Sequence, residues 1–338
     1  MAISCVAVAA FVLVGVLTEF VRRLAIQLAL TDRPDMRKSH KRPTPYLGGV
    51  VIVIGVLVPT FVAVSGGDLR LRILLMAATA VALLGLVDDI RPLSPYSRLV
   101  VEGLAAAAVV GTGGHVKIFG NWLDYVVPVL WIVVITNSFN LLDNMDGAAA
   151  GVGCVTAAAL ALPALMVGQH GAVILLLALA CGCAGFLPHN WTPARIFMGD
   201  AGSLFIGFVI AASAPLVFAS PAHHAGVTGP LMVTFVATLD TCVVMVSRHR
   251  AGRPLMLGGT DHVSHRLRRL GFTTWQVALA LSGTAGITCL AVIPVVRGWI
   301  PAPVPLVIGA GLGAALVWLL QKVPVYDHLG AKREVRAT

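Results

Sequence analysis

Charge is what this sequence has least of. Asp, Glu, Lys and Arg together make up 12% of its 338 residues, against about a quarter in soluble domains, so an ordinary water-facing surface cannot be built from it. Glutamate is the scarcest acid, with three residues at positions 19, 102 and 334 beside twelve Asp. Cysteine is sparse too: residues 5, 154, 181, 183, 242 and 289 all fall in apolar stretches, and only Cys181 and Cys183 are close neighbours. Residues two apart on a helix do not face each other, so these thiols read as small apolar fillers rather than disulfides or metal ligands. The start, MAISC, has no positive region, and Arg22-Arg23 follow the first apolar run, which argues against a cleavable leader. No repeat and no low-complexity linker divides the chain, so residues 1–338 are expected to form one domain.

What the chain has in abundance is hydrophobic sequence: 58% of residues, with a mean hydropathy of +0.90. Runs long enough to cross a bilayer, which takes about 20 residues, occur near 3–21, 47–64, 71–87, 98–112, 125–138, 147–167, 171–187, 203–219, 229–247, 275–296 and 301–320. The expected fold is an all-α integral membrane protein, a polytopic bundle of about eleven transmembrane helices. With the N-terminus outside, twenty of the 24 Lys and Arg fall in inner segments, leaving Arg70, Arg72, Lys117 and Arg297 outside. That asymmetry places the C-terminal tail, 321–338, in the cytoplasm. The same partition sends almost every polar motif to the cytoplasmic side.

The first of those motifs is the loop TDRPDMRKSHKRPTPYLGGV, residues 31–50, where Arg37, Lys38 and His40 form a basic patch for a nucleotide or lipid phosphate, or a topology signal drawn to anionic headgroups. Next, GLVDDIRPLSPYSRL, residues 85–99, carries Asp88 and Asp89 with Arg91 and Arg98. Adjacent carboxylates point about 100° apart on a helix, so one can face a metal or phosphate while the other braces it; a salt-bridged helix cap is the competing reading. NSFNLLDNMDG, residues 137–147, sets Asn140, Asp143 and Asp146 at spacings of three, on one face if the helix continues. PHNWTPARIFMGDAGS, residues 188–203, leaves Asp200 uncovered between glycines, as a hard ligand for Mg²⁺ should be, or as a simple N-cap. Asp240 lies inside the ninth run, with Arg248 two turns on as a candidate partner. The loop 247–271 clusters His262, His265 and Arg266, better suited to phosphate or pyrophosphate than to zinc.

In order, R-K-x-H-x-x-P-T-P-x-x-G-G, D-D, N-L-L-D-N-M-D-G, F-M-G-D-A-G-S and D-H-x-x-H-R-L span residues 31–271. This set resembles the polyprenyl-phosphate N-acetylhexosamine-1-phosphate transferase superfamily, and within it the bacterial undecaprenyl- or decaprenyl-phosphate GlcNAc-1-phosphate transferases. Ser264 stands where these families often carry His. The resemblance implies transfer of sugar-1-phosphate from a UDP-N-acetylhexosamine to undecaprenyl or decaprenyl phosphate, with release of UMP. It implies Mg²⁺, with Mn²⁺ as a substitute, held by Asp200, Asp143 and Asp146. It also implies a lipid-phosphate side at Asp88 and Asp89, and diphosphate contacts from His262 and His265. Asp88 is the expected base or positioning group; Arg98 and the His262–Arg266 cluster are expected to neutralise charge. The expected location is the bacterial plasma membrane, with membrane lipids as partners, a homodimer among the expected assemblies and no nucleic acid. Phospho-MurNAc-pentapeptide transfer is the nearer alternative. A transporter is the alternative from another class, disfavoured because transporters place ionisable groups near the midplane.

Overall fold

In a bilayer every backbone N–H and C=O must be satisfied within the protein, and a continuous apolar run does this as a helix. The computed structural model describes residues 2–28, 31–32, 44–64, 68–113, 115–219, 225–255 and 259–326. In chain order the elements are α1 (Ala2–Gln27), β1 (Thr31–Asp32), β2 (Thr44–Pro45), α2 (Gly48–Ala63), α3 (Leu69–Ile90), α4 (Pro95–Gly111), α5 (Leu123–Leu142), α6 (Ala148–Met166) and α7 (His170–Asn190). They continue with α8 (Gly199–Phe218), α9 (Thr228–Val233), α10 (Phe235–Ala251), α11 (Val263–Arg269), α12 (Thr274–Leu290), α13 (Ile293–Val296) and α14 (Pro303–Leu320). The protein is an all-α polytopic membrane protein.

Each of the eleven apolar runs lies on helix, but the expected count is too simple. Among the described residues eight segments are both long and apolar enough to cross a membrane, and α2 is a shorter apolar helix. The ninth run is divided, because the backbone leaves helical geometry at Thr234 (φ −101°, ψ 14°) between α9 and α10. The tenth is interrupted between α12 and α13, just ahead of Pro294, which has no N–H to continue a helical ladder. One short antiparallel pair, Thr31–Pro45 and Asp32–Thr44, was not expected.

The bundle is built around α8, 94% of whose spanning window is buried, against 22% for α1 and 11% for α14. Helices α2, α3, α5 and α6 pack directly on it. Lipid supplies no hydrophobic drive between helices, so close approach rests on small residues. A Cβ on Gly49 would stand 2.1 Å from the Gly202 nitrogen, and one on Gly85 2.5 Å from the Asp200 carbonyl oxygen. Both contacts are backbone to backbone and cannot yield by a side-chain rotation. Gly85 therefore sets α3 against the first turn of α8, at the end of the bundle where the acidic motifs lie.

Two helix ends refine the sequence reading. Ser94 caps α4, accepting from the Ser97 N–H at 3.2 Å, with Pro95 in the first turn. Arg98 consequently belongs to the helix, not to the loop before it. Helix α5 ends at Leu142 and Asp143 is its cap, so Asn137 and Asn140 are helical and Asp146 leaves their face.

Gly85→Ala is expected to lower the thermal unfolding midpoint in detergent and to abolish activity, since overpacking costs about 1–3 kcal/mol and here displaces α8. Gly103→Ala, with nothing within 4 Å of the added carbon, should leave both unchanged. Equal midpoints for the two variants would contradict the close α3–α8 contact.

Candidate active site

Arg98 gathers three helices. Its Nη1 donates to Asp88 Oδ2 at 2.7 Å and to Asp200 Oδ2 at 3.0 Å, and its Nη2 to Asn140 Oδ1 at 3.3 Å. Asn140 closes the arrangement by donating through Nδ2 to Asp200 Oδ1 (2.8 Å) and to Ser203 Oγ (3.0 Å). Side-chain exposures of 18% for Arg98, 9% for Asp88 and 29% for Asp200 leave these charges only partly hydrated. Removing one partner from such a pair typically costs about 3–5 kcal/mol when burial is complete, and less here in proportion to the water that remains.

The two carboxylates of the D-D pair divide as their angular separation requires. Asp88 faces Arg98 and accepts the Leu93 N–H at 2.6 Å through its other oxygen. Asp89 turns to α8, where it accepts the Asp200 N–H (2.8 Å) and the Ala201 N–H (3.0 Å). These are orphan donors of a helix N-terminus, so Asp89 braces Asp200 as a cap from another helix. Both Asp88 oxygens are engaged, which suits an anchor for Arg98; of the two roles expected from the sequence, base or positioning group, the geometry favours the second.

Asp143 is the carboxylate left free. Among the described residues no hydrogen bond reaches its side chain. Burial, followed by the charges of Asp200, Asp89 and Asp146, pushes its carboxyl up to about 7. A group crowded by three acids and unpaired is chemically ready for a proton or a cation. The expected ligand trio is not gathered as one: Asp146 accepts the Ala194 N–H at 2.9 Å and so braces the turn before α8. Among the described residues no three His, Cys, Asp or Glu side chains are arranged to hold a metal ion. The available donors, Asp143 with Asp200 nearby, fit Mg²⁺, which binds through one or two carboxylates and otherwise through waters and phosphate oxygens.

Further support comes from Asn190 and Ser264, to which the sequence assigned no contact. Asn190 accepts the Gly147 N–H (3.0 Å) and donates to the Ile196 carbonyl (3.1 Å), tying the start of α6 to the same turn. The Ser264 hydroxyl donates a short hydrogen bond to Asn144 Oδ1, which joins the last loop to the Asn137–Gly147 motif. No local pattern announces either contact; both depend on how distant segments meet.

The ninth and last motifs are wired differently from expectation. Asp240 does not pair with Arg248: its carboxylate holds His262 Nδ1 at 2.8 Å and the Val263 N–H at 2.7 Å. Arg248 instead donates to both oxygens of Asp261, at 3.0 and 3.1 Å. Burial pushes the Asp261 carboxyl up, but Arg248 and the Tyr326 hydroxyl more than reverse this and hold it below the usual range. The His262 and His265 ring centroids are 6.1 Å apart. Burial and the neighbouring His262 push His265 down to about 4, so it is neutral near pH 7 and offers hydrogen bonds in place of charge.

Arg266, expected on the substrate, is 1% exposed. It donates to the Asp261, Leu320 and Val323 carbonyls and to Ser247 Oγ. It docks α11 on the end of α14, with four of its five N–H donors spent within the protein. Arg91 is exposed at the end of α3 and does not join the Arg98 cluster. Arg37, Lys38 and His40 lie outside the described residues.

The arrangement defines a polytopic membrane protein whose acids and amides converge on one arginine at one end of its bundle. A model of glycosyl transferase family 4 matches residues 71–217, which include the Arg98 cluster and end before α9. A Streptomyces coelicolor protein provisionally named a glycosyltransferase is 38% identical over 98% of this chain and 79% of its own length. A Bacillus subtilis protein provisionally named an undecaprenyl-phosphate N-acetylglucosaminyl 1-phosphate transferase is 31% identical over 76% of this chain and 75% of its own. The phospho-N-acetylmuramoyl-pentapeptide-transferase of Moorella thermoacetica is 34% identical over 80% and 90%. The chain belongs to glycosyl transferase family 4, as a sugar-phosphate transferase.

A pH dependence follows from Asp143. A cation must displace its proton, so Mg²⁺ affinity should rise with pH up to about 7 and level off above it. Calorimetry across this range checks the expectation, and Asp143→Asn should make the slope shallower. An affinity that does not change between about pH 5.5 and 7.5, the window of that titration, would contradict a cation at Asp143.

Proposed function

We propose that the protein transfers N-acetylhexosamine-1-phosphate, with GlcNAc-1-phosphate as the first choice of sugar, from a UDP-sugar to undecaprenyl or decaprenyl phosphate. The products are a polyprenyl-diphosphate-sugar and UMP, and the step opens the membrane stage of a cell-envelope glycan. The observation that carries this reading is the convergence of Asp88, Asn140 and Asp200, from three separate motifs, on Arg98. The positive-inside count supports an active site facing the cytoplasm of a bacterial plasma membrane.

The chemistry is constrained by charge. A phosphomonoester has its second pKa near ~6, so the lipid phosphate is mostly dianionic at neutral pH and needs no strong base. Its oxygen attacks the sugar-bearing phosphorus of the UDP-sugar in line; the new P–O bond forms as the bond to the UMP oxygen breaks, and UMP carries away the leaving charge. Mg²⁺ held by Asp143 and Asp200 would supply the positive charge that lets two anions meet. Arg98 contributes the fixed cation, and it also keeps Asp88 and Asp200 from repelling each other. Asp89 fixes the α8 N-terminus, so Asp200 keeps its place as charge moves. His262, oriented by Asp240, and neutral His265 offer ring N–H groups to the diphosphate. This is a single displacement, without a covalent enzyme intermediate.

The Moorella relative favours a second reading, in which the transferred group is phospho-MurNAc-pentapeptide. A panel of UDP-sugars separates the two. Purified protein with Mg²⁺, UDP-GlcNAc and polyprenyl phosphate should release UMP, and chelation with EDTA should stop it reversibly. Asp200→Asn should lower kcat by about a hundredfold or more, the scale of losing a group that acts in the transition state. UMP release that survives EDTA, or that Asp200→Asn leaves intact, would contradict these roles.

A further inference from the structure

Beneath the Arg98 cluster, a second rung joins the same two helices. Glu102 is fully buried in α4, at 0% exposure, and accepts a short hydrogen bond from the Asn137 side-chain amide of α5. That amide also donates to the Val133 carbonyl at 2.9 Å, which fixes its orientation. Glu102 follows Arg98 by four residues and Asn137 precedes Asn140 by three, so each pair shares a helix face. The two helices are therefore tied twice, by Arg98 to Asn140 at 3.3 Å and, one turn deeper, by Glu102 to Asn137.

The deeper rung is costly to keep. Burying a carboxyl group away from water is expensive unless it is paired and hydrogen-bonded. Among the described residues Glu102 Oε1 has no hydrogen-bond partner, and Asn137 is the one side chain there that anchors this carboxylate. Glu102 nevertheless stands within electrostatic reach of Arg98, Asp200 and Asp88. Without a hydrogen bond to the cluster, Glu102 bears on it through its charge and through the two helices that it ties together.

We propose that Glu102 is a positioning residue for the transfer site. Through Asn137 it fixes the register and separation of α4 and α5, and thereby the place of the Arg98 guanidinium among Asp88, Asp200 and Asn140. The inference rests on the transfer reaction proposed above. What it requires of the side chain is an acceptor of the right length, not a charge, and loss of either rung partner should have the same consequence.

The test is steady-state UMP release from UDP-GlcNAc and polyprenyl phosphate by the full-length protein in lipid nanodiscs. Glu102→Ala and Asn137→Ala should each lower kcat about tenfold or more, with KM for the UDP-sugar held within about twofold, and the double variant should be no worse than either single one. Glu102→Gln, which keeps an acceptor, should stay within about threefold of wild type. In an Arg98→Lys background Glu102→Ala should add no further loss, because its effect passes through residue 98; losses that multiply would mark a merely structural role and overturn the proposal. Glu102→Gln as impaired as Glu102→Ala, or Glu102→Ala as active as wild type, would overturn it too. Should Glu102→Ala fail to fold, Glu102→Gln and Asn137→Ala decide alone, the first required to stay active and the second to fall. A wild-type protein that releases no UMP from any UDP-sugar sinks the transfer reading itself, a result separate from an active enzyme indifferent to residue 102.

Discussion

One guanidinium among crowded carboxylates is the constraint on which the rest of the site depends. Asp88, Asp89, Asp143 and Asp200 are brought to one end of the bundle, and α8 begins among them. Carboxylates this close repel one another unless cations or donors stand between them. Arg98 takes Asp88 and Asp200, the α8 N-terminus takes Asp89, and Asp143 is left with its proton affinity raised. The distribution is unequal: Asp88 and Asp89 are held by the fold, Asp200 is shared between Arg98 and Asn140, and Asp143 has no hydrogen bond among the described residues.

The loop after α10 keeps its buried basic residues for itself. His262 is held by Asp240, Arg248 by Asp261, and Arg266 by the backbone at the end of α14. The basic residues of the loop 247–271 that are buried are therefore spent within the protein, and they dock α11 and the chain after α14 against α10. Arg266, expected to share in charge compensation, is spent on the backbone at the end of α14 and on Ser247.

How much of this could be read in the sequence depends on the range of each interaction. The membrane class, the helical runs and the five polar motifs were legible, because hydropathy and turn residues act locally. The division of labour between Asp88 and Asp89 was legible in kind, from the angle between neighbours on a helix. Which one braces could not be seen, since it depends on Gly85 letting α3 touch α8. Arg248 appeared the natural partner for Asp240 by helical spacing, but the returning chain delivers Asp261 to Arg248 and His262 to Asp240. Asp146 looked like a third ligand as long as α5 was assumed to continue; its end at Leu142 turned that residue to Ala194. Glu102 escaped notice because its partner lies 35 residues away on a helix whose register no local pattern reveals.

The central claim, that Arg98 is the fixed cation keeping these acids together, is tested most directly by the thermal unfolding midpoint of Arg98→Ala beside wild type in a Mg²⁺ titration. Without divalent cation the variant should unfold several degrees lower, since its loss leaves Asp88 and Asp200 facing each other unpaired. Added Mg²⁺ should then raise its midpoint by more than it raises that of wild type, because a second cation can partly replace the first. Equal midpoints without Mg²⁺, or identical responses to it, would contradict the account.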